Sequence, residues 1–331
     1  FEPNGVALAE GMLKAGGLFI LLTPSLDSWP THKDGFKDEY SIRSEDSKFI
    51  RRFIHLAEKH QAVVILDSKH PLDTTTQNKP PQESRDYTQQ KDAIKKIIHV
   101  ATGHRNRPFL LTGPRGYGKS SALGIAASEL MYHHRKNIII TAPQPQSCAM
   151  IFFHICRTLG IEYRKDKLRY ELNEASVEFR APDELIANKH ACDILMIDEA
   201  AAIPVHMLVK LSCQYHRTVF STTTYGYEGS GHGFEHKFLK YLEGNRTGWS
   251  KYILSTPIRW LKDDPLQDFF YQFFIFDTTP VETALNVQQD HVNVQSIENS
   301  SIAHDEHQLR EIYAFLSAAH YKTTPNDLRN I

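Results

Sequence analysis

The stretch Gly113–Ser120 (GPRGYGKS) decides the fold of this chain. It matches G-x-x-x-x-G-K-[S/T] at every fixed position, and it lies between the apolar run Phe109–Thr112 and a helical pattern over Ser120–Met131. Glycines allow a loop to wrap closely around phosphate groups, and the N–H groups of the loop and of the following helix bind anions. The stretch therefore predicts a nucleotide-phosphate loop between a strand and a helix.

Two carboxylates follow a second apolar run of the chain. Asp198 and Glu199 come directly after Ile194–Ile197, which predicts a buried strand. Because the carboxyl ends of parallel strands meet at one edge of a sheet, both acids are expected near the phosphate loop. Asp198 would hold Mg²⁺ together with the Ser120 hydroxyl, and Glu199 would polarise the attacking water. With Lys119 on the β- and γ-phosphates, the pattern predicts hydrolysis of ATP or GTP.

Four further features are weaker candidates, and each has a plain structural alternative. Ser221–Thr224 could sense the γ-phosphate or simply end a strand, and Gly226–Gly233 could approach a ligand or form a flexible loop. Arg259 could reach the γ-phosphate from the same chain, or it could stack on Trp260 at the surface. Gln90 could recognise adenine through its amide, although most helical glutamines do not.

Strands and helices alternate from about residue 88 onward, which predicts an α/β fold with a mostly parallel sheet and helices on both faces. An N-terminal α/β fragment is predicted from buried strands at Gly17–Pro24 and Ala62–Leu66 and a helix at Ser47–His60. The predicted divisions are the fragment at 1–70, a linker at 71–87, the ATPase domain at 88–280, and a linker with a further domain start at 281–331.

The composition is ordinary for a globular protein, and the net charge of −1 provides no global basic field. Any polyanion must therefore bind to a local patch. No apolar run reaches the roughly 18 residues of a membrane span, and no signal peptide opens the chain. A cytoplasmic protein without a membrane partner is expected. Since the chain of 331 residues starts with Phe1, an internal piece of a longer protein is also expected.

Four stretches together resemble one family, the tRNA(Met) cytidine acetyltransferases. They are Ile197–Pro204 (IDEAAAIP), Gly226–Gly231 (GYEGSG), Pro257–Trp260 (PIRW) followed by Asp264–Leu266 (DPL), and Ser317–Arg329 (SAAHYKTTPNDLR). The resemblance runs from about Gly17 to the C-terminus, and the order of the stretches also matches.

The resemblance implies a RecA-like helicase module of the RecD type fused to a GNAT acetyltransferase domain. Such enzymes acetylate N4 of the wobble cytidine of elongator tRNA(Met) with acetyl-CoA, assisted by hydrolysis of ATP or GTP. With the motif itself, it gives the expected ATP contacts as Gln90, Gly113, Gly116, Tyr117, Gly118, Lys119, Ser120, Ser121 and Arg259. Binding of tRNA is expected along Thr141–Ser147 and Gly226–Gly233.

The sequence also departs from the family pattern. Tyr117 and His232 stand where the family often has Arg, which removes positive charge near a polyanion site and puts RNA affinity in doubt. No pyrophosphate loop follows the helicase module, so acetyl-CoA is expected to serve only the full-length enzyme and 281–331 only to begin a truncated GNAT domain. The chain alone is expected not to acetylate cytidine. The last helix, from Thr324-Pro325, is expected to fray or to pack back on the ATPase module.

Two other functions remain open from the residues alone. The first is a stand-alone P-loop ATPase or DNA helicase, which DNA rather than tRNA would stimulate. The second is a nucleotide-switched tRNA-binding module that binds ATP without turnover.

Overall fold

The computed structural model describes residues 1–14, 16–32, 47–66, 86–223, 234–260, 262–276, 296, 302, 305–319 and 324–331. These residues form two compact units. One contains the described residues within Phe1–Glu83 and Asp263–Ile331, and the other those within Ser84–Gly226 and Ser230–Lys262. We refer to them as the helical unit and the sheet unit.

The helices were numbered in chain order, and their bounds are as follows: α1 Pro3–Glu10, α2 Lys48–Lys59, α3 Thr88–Thr102, α4 Lys119–His134, α5 Ala149–Leu159, α6 Pro182–Ala187, α7 Val205–Gln214, α8 Lys240–Asn245, α9 Pro265–Phe274, α10 Glu306–Ala319 and α11 Pro325–Asn330. The strands are β1 Phe109–Thr112, β2 Ile138–Thr141, β3 Arg169–Leu172, β4 Ala175–Phe179, β5 Ile194–Ile197, β6 Thr218–Thr222 and β7 Ser250–Ile253.

The seven strands form one sheet in the order β3-β4-β2-β5-β6-β1-β7. Every neighbouring pair is parallel except β3 and β4. Side chains alternate between the two faces: Phe109 and Leu111 of β1 pack with α3, α4 and α5, whereas Leu110 packs with α7 on the other face. The predicted α/β class, with a mostly parallel sheet covered on both faces, is confirmed.

The order of the strands positions the candidate site. β6 lies between β1, which leads into the phosphate loop, and β5, which leads into Asp198 and Glu199. All three strands are parallel, so their carboxyl ends share one edge of the sheet. The loop, the acid pair and the hydroxyl-bearing end of β6 are thereby brought side by side at that edge.

The two strands predicted for the N-terminal fragment are wrong. The described residues of Gly17–Pro24 and Ala62–Leu66 include no strand, and Leu18, Ile20 and Leu22 are 77%, 70% and 90% exposed. The side chains Phe19, Leu21 and Val63 of these stretches pack on the core of the helical unit. A strand requires a neighbour for its N–H and C=O groups, and apolar sequence cannot show whether one is present. The helix predicted at Ser47–His60 is confirmed by α2.

The antiparallel hairpin of β3 and β4 was absent from the sequence expectations. Its signal was present: apolar and polar residues alternate in both strands, and the turn between Leu172 and Ala175 contains Asn173 at φ 54°. Asn tolerates this left-handed backbone better than most residues, which makes it a marker of tight turns. The hairpin extends the sheet beyond β2 with a strand of opposite direction.

The helical unit is held together by an aromatic core. Phe49 and Phe53 of α2 contact Phe269 and Phe273 of α9, with ring centroids 4.9–5.4 Å apart for Phe49–Phe273, Phe53–Phe269 and Phe53–Phe273. Because α9 buries its four phenylalanines here, the units divide near residue 262, whereas the sequence suggested 280. The predicted linker at 71–87 lies almost wholly outside the described residues.

The last helix, α11, which was expected to fray or to pack back on the ATPase module, packs within the helical unit. Its N-terminus forms a capping box, in which the Asp327 carboxylate accepts hydrogen bonds from the Thr324 backbone N–H and hydroxyl. Leu328 is 4% exposed and belongs to the core of the helical unit together with Ala7 of α1. The cap and two buried residues, Pro325 and Leu328, order this short helix.

Candidate functional site

The phosphate loop has the backbone that its glycines predicted. Gly116 and Gly118 have φ values of 84° and 87°, which side chains rarely adopt. A Cβ atom on Gly116 would lie 2.7 Å from the ring of Trp260, and one on Gly118 would lie 2.6 Å from Ile258. Both positions therefore require glycine for conformation and for space.

Lys119 and Ser120 occupy the first turn of α4. The Lys119 ammonium donates hydrogen bonds to the carbonyls of Gly113 and Pro114, at 2.7 and 2.9 Å. The Ser120 hydroxyl donates to Asp198 Oδ2 at 2.8 Å, across the end of β6. The two residues predicted to share Mg²⁺ are therefore in direct contact, although 78 residues separate them in the sequence.

A hydroxyl and a carboxylate in contact are hard oxygen donors that suit Mg²⁺. This ion is commonly held by one or two protein oxygens together with substrate phosphates. Within the part of the chain that the structure describes, no group of three or more His, Cys, Asp or Glu side chains forms a metal cage. Ser120 and Asp198 thus fit an ion that a nucleotide would complete, rather than a site closed by protein alone.

Glu199 follows the buried Asp198 and has a left-handed backbone, with φ 48° and ψ 41°. Its backbone N–H donates to Asp198 Oδ1 at 3.0 Å, and its carboxylate accepts a hydrogen bond from the Ser147 hydroxyl at 2.5 Å. Ser147 belongs to the short 3₁₀ turn Pro145–Cys148 that follows β2. The carboxylate is therefore directed toward the turn after β2.

Arg259 is brought to the phosphate loop by its own backbone. The N–H groups of Ile258 and Arg259 both lie 3.3 Å from the Gly116 carbonyl oxygen and donate to it. Upstream, the Gln89 side chain holds the segment at three points, because its oxygen accepts from the N–H groups of Ser255 and Thr256 and its nitrogen donates to the Ser255 hydroxyl. These contacts set Arg259 beside the loop.

Gln90 lies in the same region and is 6% exposed. Its amide nitrogen donates to the carbonyls of Tyr117 and Thr256, at 3.2 and 3.1 Å, so this nitrogen is engaged by the protein. Its amide oxygen is buried and has no hydrogen-bond partner among the described residues. Of the two groups predicted to recognise adenine, the oxygen is therefore the one available to accept a hydrogen bond.

The remaining sequence candidates are partly brought to the site. The Ser121 hydroxyl lies 2.9 Å from His154 Nε2 of α5, and burial together with the charge of Arg157 lowers the pKa of His154. Ser221 and Thr222 end β6 between the loop and the acid pair, and the Thr222 hydroxyl accepts a hydrogen bond from the Ala201 N–H. Thr224 and Gly226–Gly233, including His232, lie outside the described residues.

Comparison with known proteins identifies the family. Residues 110–277 match the family model "RNA cytidine acetyltransferase NAT10/TcmA, helicase domain", and residues 1–68 match "tRNA(Met) cytidine acetyltransferase TmcA, N-terminal". The first match alone spans half of the chain. The chain belongs to the tRNA(Met) cytidine acetyltransferase family. Its helicase-domain match includes the phosphate loop, the acid pair and Arg259, and it agrees with the RecA-like fold class expected from the sequence.

Two curated relatives carry the name tRNA(Met) cytidine acetyltransferase TmcA. The protein of Nitrosococcus halophilus is 33% identical over 100% of this chain and 47% of its own length. That of Vibrio cholerae is 38% identical over 81% of this chain and 38% of its own length. The family member described here thus spans less than half the length of these relatives.

Two solved structures show a limited likeness to this family member. The Pif1 helicase from Candida albicans aligns with a TM-score of 0.33 and 15% identity over 57% of this chain and 48% of its own. The large terminase from a thermophilic bacteriophage, in complex with ADP, gives a TM-score of 0.35 and 11% identity over 49% of this chain and 44% of its own. In addition, no described helix of this acetyltransferase-family chain has the length and apolar character that crossing a membrane requires.

Gln89 and His154, which contact the site in this family member, were missed from the sequence. Ser147 was expected only as part of the tRNA-binding stretch Thr141–Ser147, so its contact with Glu199 was missed as well. Gln89 and His154 lie on helices whose pattern shows only which face is buried, and Ser147 lies in a turn. Gln89 precedes Gln90, but no local rule distinguishes two adjacent glutamines. Their partners Ser255, Glu199 and Ser121 are distant in sequence, so only the folded sheet reveals these contacts.

Proposed function

We propose that this chain is the ATP-hydrolysing, helicase-like module of a tRNA(Met) cytidine acetyltransferase. The observation that carries the proposal is the 2.8 Å hydrogen bond between Ser120 and Asp198, which joins the phosphate loop to the acid pair. Acetylation of the wobble cytidine of elongator tRNA(Met), with acetyl-CoA, is assigned to the full-length enzyme. Because the proposed substrate is tRNA, we also propose that the protein is cytoplasmic.

The residues have distinct roles in the proposed hydrolysis. The N–H groups of residues 116–121 surround the phosphates, and the Lys119 ammonium exchanges its carbonyl partners for phosphate oxygens. Ser120 and Asp198 would hold Mg²⁺, which would neutralise negative charge on the phosphate oxygens. Glu199 accepts a proton from the attacking water, and Arg259 stabilises the charge that develops on the γ-phosphate.

We propose that Gln90 recognises the base through its amide oxygen, which has no hydrogen-bond partner among the described residues. Its buried amide oxygen can accept a hydrogen bond from the amino group of adenine N6. Guanine presents a carbonyl oxygen at the equivalent position, and two acceptors repel each other. We therefore propose that ATP is preferred to GTP.

Phosphate release from ATP in the presence of Mg²⁺ tests the proposal. Lys119→Ala is expected to lower turnover by roughly 10³-fold or more, by analogy with the loss of other charges at the transferring phosphate. Glu199→Gln is expected to retain bound ATP and to release phosphate at a strongly reduced but measurable rate. Lys189→Ala, which removes an exposed lysine of the same unit, is the matched control. Phosphate release that is equal in Lys119→Ala and in this control would show that the site is elsewhere.

Nucleic acids distinguish the proposed function from its alternatives. Elongator tRNA(Met) is expected to stimulate ATP hydrolysis more than DNA of equal length and concentration. Because the chain has a net charge of −1, tRNA should bind through local patches, and its affinity should fall steeply between roughly 50 and 200 mM salt. Stimulation by DNA alone would favour a DNA helicase, and ATP binding without turnover would favour a nucleotide switch.

A further inference from the structure

The turn that follows β2 and the turn that follows β5 are neighbours in the structure. β2 and β5 pair in parallel up to Thr141 and Ile197, and the ladder continues one residue further, because the Asp198 N–H donates to the Thr141 carbonyl at 2.9 Å. The next residue of the second turn is Glu199. Ser147 lies in the first turn, so the contact between these two side chains joins two adjacent strand ends.

The backbone of Glu199 accounts for the direction of its side chain. A left-handed conformation is unfavourable for a non-glycine residue, and it persists only where the surroundings enforce it. Here the Glu199 N–H is held by Asp198 and its carbonyl accepts from the Ala202 N–H at 2.9 Å. The Thr222 hydroxyl holds Ala201 in the same turn. Residues kept in this conformation are found preferentially at active sites.

The residue after Ser147 gives independent evidence that this turn faces the acid pair. Cys148 is buried, and burial raises the pKa of its thiol above the ordinary value. The negative charges of Asp198 and Glu199 raise the pKa further. Two consecutive residues of the 3₁₀ turn, Ser147 and Cys148, therefore lie close to the carboxylates.

We propose that Ser147 is a positioning residue for Glu199, whose hydroxyl fixes the orientation of the carboxylate that activates water. This inference rests on the proposed ATP hydrolysis. A carboxylate on a flexible side chain has several rotamers, and a hydrogen bond from a fixed turn selects one of them. The Ser147 hydroxyl donates to Oε2 at 2.5 Å and touches neither the phosphate loop nor Ser120. Its effect should therefore fall on the chemical step and not on ATP binding.

Steady-state ATP hydrolysis and equilibrium ATP binding of the 331-residue chain test this inference. Ser147→Ala is expected to lower kcat by about 10- to 100-fold, by analogy with the loss of residues that orient metal-ligating side chains. The affinity for ATP should change by less than about twofold. Ser147→Thr keeps the hydroxyl and should recover most of the lost rate. Ser128→Ala is the matched control, since its buried hydroxyl binds only the Ile125 carbonyl within α4.

A double variant separates positioning from a general structural effect. If Ser147 acts through Glu199, Ser147→Ala should lower kcat no further in a Glu199→Gln background. Additive losses, or equal rates for Ser147→Ala and Ser128→Ala, would overturn the inference while leaving the proposed hydrolysis intact. Parent protein that releases no phosphate would instead overturn the proposed function, and the role of Ser147 with it.

Discussion

Gly116 shows how much a single residue contributes to the phosphate loop. Its φ of 84° is left-handed, its carbonyl receives the N–H groups of Ile258 and Arg259, and Trp260 fills the space where a Cβ would stand. The loop and the Arg259 segment therefore meet at one glycine.

Substitution of Gly116 should lower stability for two separate reasons, backbone strain and a steric contact with Trp260. Gly116→Ala is expected to lower the free energy of unfolding of the sheet unit by about 2–4 kcal/mol, as backbone strain and the contact with Trp260 add. Gly160→Ala should cost about 1 kcal/mol, because its φ is 67° but its Cβ would meet nothing within 4 Å. Gly244→Ala, in open space on α8, should be neutral or slightly stabilising. Urea unfolding of the three variants measures the loss of unfolding free energy in each. Equal losses in all three would contradict the expected order.

Arg259 should act on turnover more than on affinity. Arg259→Ala is expected to lower kcat by roughly 10³-fold, by analogy with other arginines at a transferring phosphate, while ATP still binds. Arg164→Ala, which removes an exposed arginine paired with Glu162 at 2.9 Å, provides the control. Steady-state kinetics and equilibrium binding of each variant give the comparison. A variant with the turnover of the parent would make Arg259 a structural residue of the segment that covers the loop.

At the scale of elements, a side chain from another helix adds to the C-terminal cap of α9. Arg52 of α2 donates to the carbonyls of Gln272 and Phe273 and pairs with Glu306 of α10 at 2.7 Å. Burial of the Glu306 carboxyl group would raise its pKa, but hydrogen bonds and charge from Arg52 and Arg310 outweigh burial and lower it. Three helices of the helical unit are tied together by this one arginine.

This lowered pKa predicts a pH dependence of stability. The folded pKa is below the unfolded value of about 4.3, so the stabilisation is complete above that pH and is lost as the pH falls through the folded pKa. Glu306→Gln should lower the free energy of unfolding by about 1 kcal/mol at pH 7, since water screens the half-exposed carboxylate, and the difference should vanish in acid. Glu311→Gln on the same helix is the control. Urea unfolding at pH 7 and at pH 3 measures both, and a difference that persists unchanged in acid would refute the assignment.

Some helices and strands could be predicted from sequence patterns, and others could not. Apolar patterns predicted α4 and the buried strands β1 and β5 closely, because each buries a face that its own residues define. They failed at Leu18–Leu22, a continuous apolar run typical of a buried strand, because no strand among the described residues pairs with it. The phosphate loop and the acid pair were predictable because their chemistry is local. The contacts of Ser147 and Gln89 were not, since they exist only between strand ends.

At the scale of the whole molecule, all the candidate site residues belong to the sheet unit. A ligand that binds only the folded state stabilises it by about 2.7 kcal/mol at 100 times its dissociation constant. A non-hydrolysable ATP analogue with Mg²⁺ should therefore slow hydrogen exchange in β1, β5 and α4. The same analogue should have no effect on Lys119→Ala, and slowed exchange in that variant would mean that binding does not use the loop.

The position of β1 in the sheet has a consequence for how the protein is made. Its two neighbours, β6 and β7, are encoded far downstream, since β1 ends at Thr112 and β7 is complete only at Ile253, about 140 residues later. At ~5–20 residues per second, a ribosome needs on the order of 7–30 s to cover that distance. Until β6 and β7 have been synthesised, the nascent chain carries a glycine-rich loop and a strand that is buried in the folded protein, both without their partners. Chaperones that shield exposed strands should therefore engage this chain during translation, and the nucleotide site should mature only after β7 has been synthesised.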